Sequence, residues 1–180
     1  MDRDLLGAIA SESLKAVAAH WFEARGNKSI PSWADLNPKA IARQLSLVWS
    51  LKYDPATRAF TGRLAGDRIA RLIRKDFRGL PLEQAQTPAA FGAMEPLLNR
   101  VVTEPAIYLG SGNIFQHENA FLAGERLLLP LATNGTDPDG LLGATEYGQG
   151  ENIAKSIQPA VDKSSWFNLD GGAQKSRARI

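Results

Sequence analysis

The chain has no cysteine and only two histidines in 180 residues. The first absence removes disulfides, thiolate metal sites, cysteine nucleophiles and thioether haem attachment at once. The second leaves too few imidazoles, His20 and His117, for a histidine-built metal cluster, and no His, Asp or Glu group recurs at ligand spacing. No run approaches the ~18 consecutive apolar residues of a membrane span. The start, with Asp2, Arg3 and Asp4 ahead of short apolar clusters, lacks the basic opening and unbroken apolar core of a signal peptide. A cytoplasmic protein without membrane association is expected. GxSxG is absent, and the GSGN run at Gly110 to Asn113 is not followed by a helix start, so neither a hydrolase elbow nor a phosphate cradle is indicated.

What is present is ordinary for a folded chain: 44% hydrophobic and 22% charged residues, enough for one domain with extensions. The pI near 9.0 is misleading. Lys175, Arg177 and Arg179 crowd into the last ten residues with no acid among them, and without them the body is near neutral. Nucleic acid is therefore disfavoured as a partner, the rival reading being phosphate contact through the Arg68 to Arg78 segment and this tail.

The clearest supersecondary signal is Leu122 to Tyr147. Leu127, Leu129 and Leu131 recur at period two, Asn134, Gly135, Asp137, Pro138, Asp139 and Gly140 make a turn, and Leu142 and Ala144 alternate in a returning strand. Pro130 lacks the N–H of a ladder residue and predicts a bulge or an unpaired position. Upstream, Leu6, Ala10, Leu14, Val17 and Trp21 fall on one face of a helix from Asp4 to about Arg25, stopped by Gly26 and Asn27. Such a stripe packs on its own domain or pairs with a second copy. A short helix is expected from Pro38 to Gln44, then a strand in which Leu45, Leu47, Trp49, Leu51 and Tyr53 alternate with Ser46, Val48, Ser50 and Lys52, a turn at Asp54 to Thr57, and a second strand from Arg58 to Ala65. Helices follow from Asp67 to Gly79, with a basic side of Arg68, Arg71, Arg74 and Lys75, and from about Ala89 to Thr103, restarting at Pro96. A third strand spans Ala106 to Phe115, and Gln116 to Asn119 form a polar loop.

This order, helix, two strands, helices, three strands, describes an α+β fold. FTGRLAGDRIARLIRKDFRGLPLEQ, LLLPLATNGTDPDGLLGATEY and IPSWADLNPKAIARQLSLVWSLKYD together resemble the PAS domain family, in particular small single-domain bacterial members found in alphaproteobacteria. The resemblance covers about residues 30 to 147. It implies a five-stranded antiparallel sheet in the order 2-1-5-4-3 with helices on one face, an extra N-terminal helix, and often a small-molecule pocket between helices and sheet. It divides the chain into 1–28, a helix with Leu6, Leu14, Val17 and Trp21 as dimerisation candidates; 29–150, the PAS domain; and 151–180, a partly disordered extension. It also reads Pro130 as part of the family pattern.

The function implied is a stand-alone sensory or signalling module without catalysis, forming a homodimer and read by a separate signalling protein. The cofactor is left open. Flavin–cysteinyl photochemistry needs the missing cysteine, and the Ala89 to Thr103 helix has no histidine where the family's haem proteins place one. Candidate pocket residues are Trp49, Phe60, Tyr108 and Leu129, with Arg63, Arg126 and His117 as polar anchors. Alternatives are a ligand-free interaction adaptor with a filled core and a small α+β enzyme acting on an apolar substrate through His117 and Glu118.

Overall fold

The computed structural model describes residues 3–117, 120–148 and 163–174, and the side chains of 115–122 lie outside that description. Six strands form one antiparallel sheet in the order β2-β1-β5-β4-β3-β6: β1 Val48–Asp54, β2 Ala59–Ala65, β3 Ile107–His117, β4 Ala120–Leu131, β5 Gly140–Tyr147 and β6 Lys163–Phe167. The expected five-strand order is therefore present, with one strand added. β6 comes from the extension and pairs with β3 from Ile107↔Phe167 to Ser111↔Lys163. Trp166 seats it, packing edge-on against Tyr108 at 5.0 Å and lying under the Arg100 guanidinium at 3.9 Å.

The helices divide between the two faces. α3 Asp67–Ile73, α4 Leu82–Ala85 and α5 Pro88–Thr103 lie between β2 and β3 in sequence and cover the inner face. Met94, Leu98, Val101 and Val102 of α5 join Trp49, Leu51, Phe60, Tyr108, Leu128 and Leu141 in one apolar cluster. α1 Arg3–Ala8 and α2 Glu12–Arg25 cover the outer face, where Leu5, Leu14, Val17 and Trp21 meet Val48, Leu127, Leu129, Leu131 and Leu142. Strand alternation makes this division: Leu127, Leu129 and Leu131 go out while Arg126 and Leu128 go in.

The first helix is thus broken in two. Ser11 caps α2, its hydroxyl accepting the Leu14 N–H at 3.0 Å. Glu125 of β4 accepts the N–H groups of Ala10 and Ser11 at 3.0 and 2.9 Å, and the Ser11 hydroxyl donates to Glu146 of β5. The break is held to the sheet by two carboxylates opposite each other in the β4–β5 ladder. The dimerisation candidates serve this intramolecular core: Leu14, Val17 and Trp21 are buried under the sheet of their own chain and Leu6 is half-buried beside them.

Other expectations shift locally. Pro38 to Gln44 is a run of turns closed by bonds such as Gln44 N–H to Ile41 O at 2.9 Å, not a helix, and Leu45–Leu47 is a 3₁₀ turn, so β1 begins at Val48. α3 stops at Ile73 because Arg74 turns left-handed at φ 56°. α5 runs through Pro96 without restarting. Pro130 causes no bulge: the β4–β5 register is unbroken from Gly124↔Tyr147 to Leu131↔Gly140. The Leu131 carbonyl accepts the Asp139 N–H at the hairpin end, so the backbone of Pro130 faces the other way, beyond the last β3 pair at Leu128. No ladder donor is missed there, and the Pro130 carbonyl instead accepts the Trp21 indole N–H at 2.9 Å. Irregularities fall at Arg63 in β2 and Ile114 in β3.

Candidate functional site

The inner face carries a polar group set within an apolar wall. Arg126 of β4 and Thr145 of β5 are opposite each other in the ladder and both are buried. The Thr145 hydroxyl accepts the Trp49 indole N–H at 2.9 Å and the Arg126 Nε–H at 3.4 Å. Arg126 also donates to the Met94 sulfur at 2.9 Å and to the Ile114 carbonyl at 3.1 Å, tying the sheet to α5 and to the bulge in β3. Burial lowers its pKa to about 10, partly offset by the Tyr108 phenol, so it stays cationic at neutral pH.

Two aromatic rings pave the floor. A methyl group built on Gly143 would come within 2.2 Å of the Trp49 ring, and one on Gly110 within 2.3 Å of the Tyr108 hydroxyl. Both side chains lie along the sheet over bare backbone, and Met94, Leu98, Val101 and Val102 of α5 belong to the same buried apolar cluster. The wall on the β2 side is clamped by α3: the Arg68 guanidinium donates to the Tyr147 carbonyl at 2.6 Å and lies over its ring, while the Tyr147 hydroxyl donates back to the Arg68 carbonyl at 3.0 Å. One member of the basic stripe of α3 therefore acts as an internal fastener.

The residues singled out from sequence separate into groups. Trp49, Phe60, Tyr108 and Arg126 meet on the inner face. Leu129 does not. Three residues beyond Arg126 in an unbroken strand, it points to the outer face and packs with the α2 cluster. Arg63 is the extra residue of the β2 bulge, since Leu51 pairs with Gly62 and Ser50 with Leu64, and its guanidinium lies 4.5 Å from the Trp33 ring centroid. His117 is the last residue of β3, paired with Ala120, and not part of a loop. Its side chain and Glu118 lie outside the described residues. His20 is a buried residue of α2, with Nε2 accepting the Asn37 N–H at 2.9 Å, a structural tie to the connector. Sequence reasoning passed over Thr145 and Met94. Thr145 was accessible in principle, because it continues the Leu141, Gly143 alternation, but Met94 met Arg126 only through the docking of α5.

Among the described residues no three His, Asp or Glu side chains come together as a metal site, and no helix is long and apolar enough to cross a membrane.

An antiparallel sheet in the order 2-1-5-4-3, with the helices between the second and third strands laid over one face, is the PAS arrangement. The family model described as PAS domain (PAS_5) matches residues 9–146, and the chain belongs to that family. A solved structure of a point variant of RsLOV is similar over 80% of this chain and 73% of that one, at 12% identity and a TM-score of 0.40. No curated protein matches in sequence.

Proposed function

We propose that the chain is a non-catalytic PAS signalling module that works by binding and is read by a separate signalling protein. Family membership supports the sensory and signalling class. The observation that carries the finer reading is the buried apolar cluster of the inner face, with Trp49 laid over Gly143 and Tyr108 over Gly110. A ligand there would have to displace buried rings, at a cost of several kcal/mol in lost packing, so this face serves as a core and the module acts as an adaptor. The test is native mass spectrometry of the protein as purified from cells, followed by organic extraction. No molecule seated on the inner face is expected. A stoichiometric molecule whose addition shifts the amides of residues 126 and 145 would overturn the adaptor reading.

That outcome would favour a second reading, a small-molecule sensor, which one feature supports: a buried guanidinium within hydrogen-bond reach of Thr145, which in turn holds Trp49. Movement of the Trp49 ring would then free polar groups at the centre of the face. A homodimer remains part of the proposal, but with the apolar stripe of α2 committed to the core it would form through other surfaces, and mass measured in solution checks it.

A further inference from the structure

The outer face has an open recess where the connector before β1 crosses the sheet near its β2 edge. A cleft of about 440 Å³ is walled by Trp33, Ile41, Leu45, Val48, Leu64 and Leu142. That volume lies in the range of small-molecule sites, about 300–1,000 Å³. Leu64 is 38% exposed, the single large hydrophobic so exposed among the described residues, and it stands at this cleft.

A second recess of about 230 Å³ begins one residue earlier in β2, lined by Lys52, Thr61, Arg63 and Arg78 with the glycines 62 and 79. Three cations and no acid line it. None of the three forms an ion pair with a described residue. Arg63 joins the two recesses: it lines the cationic one and stacks on Trp33, which walls the apolar one. The bulge places it there, because in a regular β2 the alternation would send Arg63 and Leu64 to opposite faces of the sheet. Asp67, three residues beyond Leu64, lines the apolar cleft and is not among the residues that line the cationic one.

We infer that this pair of recesses binds a free amphipathic anion, an aliphatic chain or ring carrying a carboxylate or phosphate. The apolar body lies in the larger cleft against Leu64 and Val48. The head sits against Arg63, Lys52 and Arg78, where a charge-assisted hydrogen bond to guanidinium is strongest. Asp67 repels a head placed the other way round, so the ligand has one orientation. This site is on the opposite side of the sheet from Arg126 and stands independently of the reading of the inner face.

The test is isothermal titration of the intact chain with decanoate and decyl phosphate, each below its micelle concentration. The controls are decan-1-ol, acetate, inorganic phosphate and anionic phospholipid vesicles. Saturable one-to-one binding of at least one decyl anion is expected. Decan-1-ol should bind at least tenfold more weakly, and acetate and inorganic phosphate not measurably. Arg63→Gln and Leu64→Asp should each weaken binding tenfold or more with the melting temperature held. Should Arg63→Gln disturb the bulge, Lys52→Gln combined with Arg78→Gln, both at exposed positions, serves in its place. Amide shifts on titration should centre on residues 61–66. Binding unchanged in these variants, inorganic phosphate binding as tightly as decyl phosphate, binding to vesicles alone, or shifts confined to residues 126 and 145 would each overturn the inference.

Discussion

Replacing Trp21 by alanine tests whether α2 belongs to the core of its own chain. The indole has no exposed surface, packs with Leu14 and Val17 against β4 and β5, and donates to the Pro130 carbonyl at 2.9 Å. A buried tryptophan removes on the order of 200 Å² from water, which at ~25 cal/mol/Å² is about 5 kcal/mol. Measured aromatic-to-alanine losses in cores run about 3–5 kcal/mol, and the two estimates agree. For a chain of this size each kcal/mol moves the melting temperature by roughly 2–4 °C, so Trp21→Ala should melt about 6–20 °C lower. Trp21→Phe keeps most of the packing but removes the N–H from a buried carbonyl, and should lose about 1–3 kcal/mol. Urea unfolding at two protein concentrations tenfold apart is the assay. The loss caused by Trp21→Ala should be the same at both concentrations, because the contacts are intramolecular. A loss below 1 kcal/mol for Trp21→Ala, or a loss that changes with concentration, would refute the assignment of this helix face to the core.

Three further outcomes follow from the geometry. Thr145→Val takes the acceptor from both the Trp49 indole and the Arg126 Nε–H at a fully buried position; a loss of about 1–3 kcal/mol is expected, with a change in near-ultraviolet circular dichroism as Trp49 loses its anchor. Gly143→Ala forces the Trp49 ring off the sheet, for about 1–3 kcal/mol of overpacking and a red-shifted tryptophan emission; an unshifted spectrum would mean that the ring does not lie on β5. Asp35 is held at about 2, below its ordinary 3.8, first by the Lys28 ammonium and then by the Ser32 N–H and hydroxyl. A depressed folded value means that its contribution is complete above about pH 4 and is lost as pH falls towards 2. Carboxyl titration by NMR should show this low value, and Lys28→Ala should raise it.

Most of the sheet was legible because its determinants are local. Period two in Trp49, Leu51 and Tyr53 and in Leu127, Leu129 and Leu131, and the Asn134 to Gly140 turn, define strands and a reversal without reference to any distant residue. The adjacent leucines 127 and 128 already imply two buried faces. What periodicity cannot say is which layer covers each face, and that is why the α2 stripe reads equally well as core or as a dimer surface. Leu129 and Arg126 are separated by alternation only once the strand is known to be unbroken, and a bulge at Pro130 or at the glycines would have flipped it. β6 was illegible for a similar reason. Lys163 to Phe167 has little alternation of its own and becomes a strand because the β3 edge offers unpaired backbone and Tyr108 offers a ring to Trp166.

By itself, then, the sequence determined the strands, the hairpin, the helices between β2 and β3 and, through their order, a PAS-like fold. It also excluded cysteine chemistry, since a residue that is not encoded cannot react. Only the tertiary structure decided that Trp49 and Tyr108 lie flat over glycines, that Arg126 shares Thr145 with an indole, and that a one-residue bulge sets Arg63 between an apolar cleft and a cationic one. The physical reason is one of range. Alternation and turn chemistry act over a few residues of chain, whereas Trp49 and Gly143, Arg126 and Met94, and Arg63 and Trp33 are far apart in sequence and meet only once the sheet has closed and each face has acquired its helices.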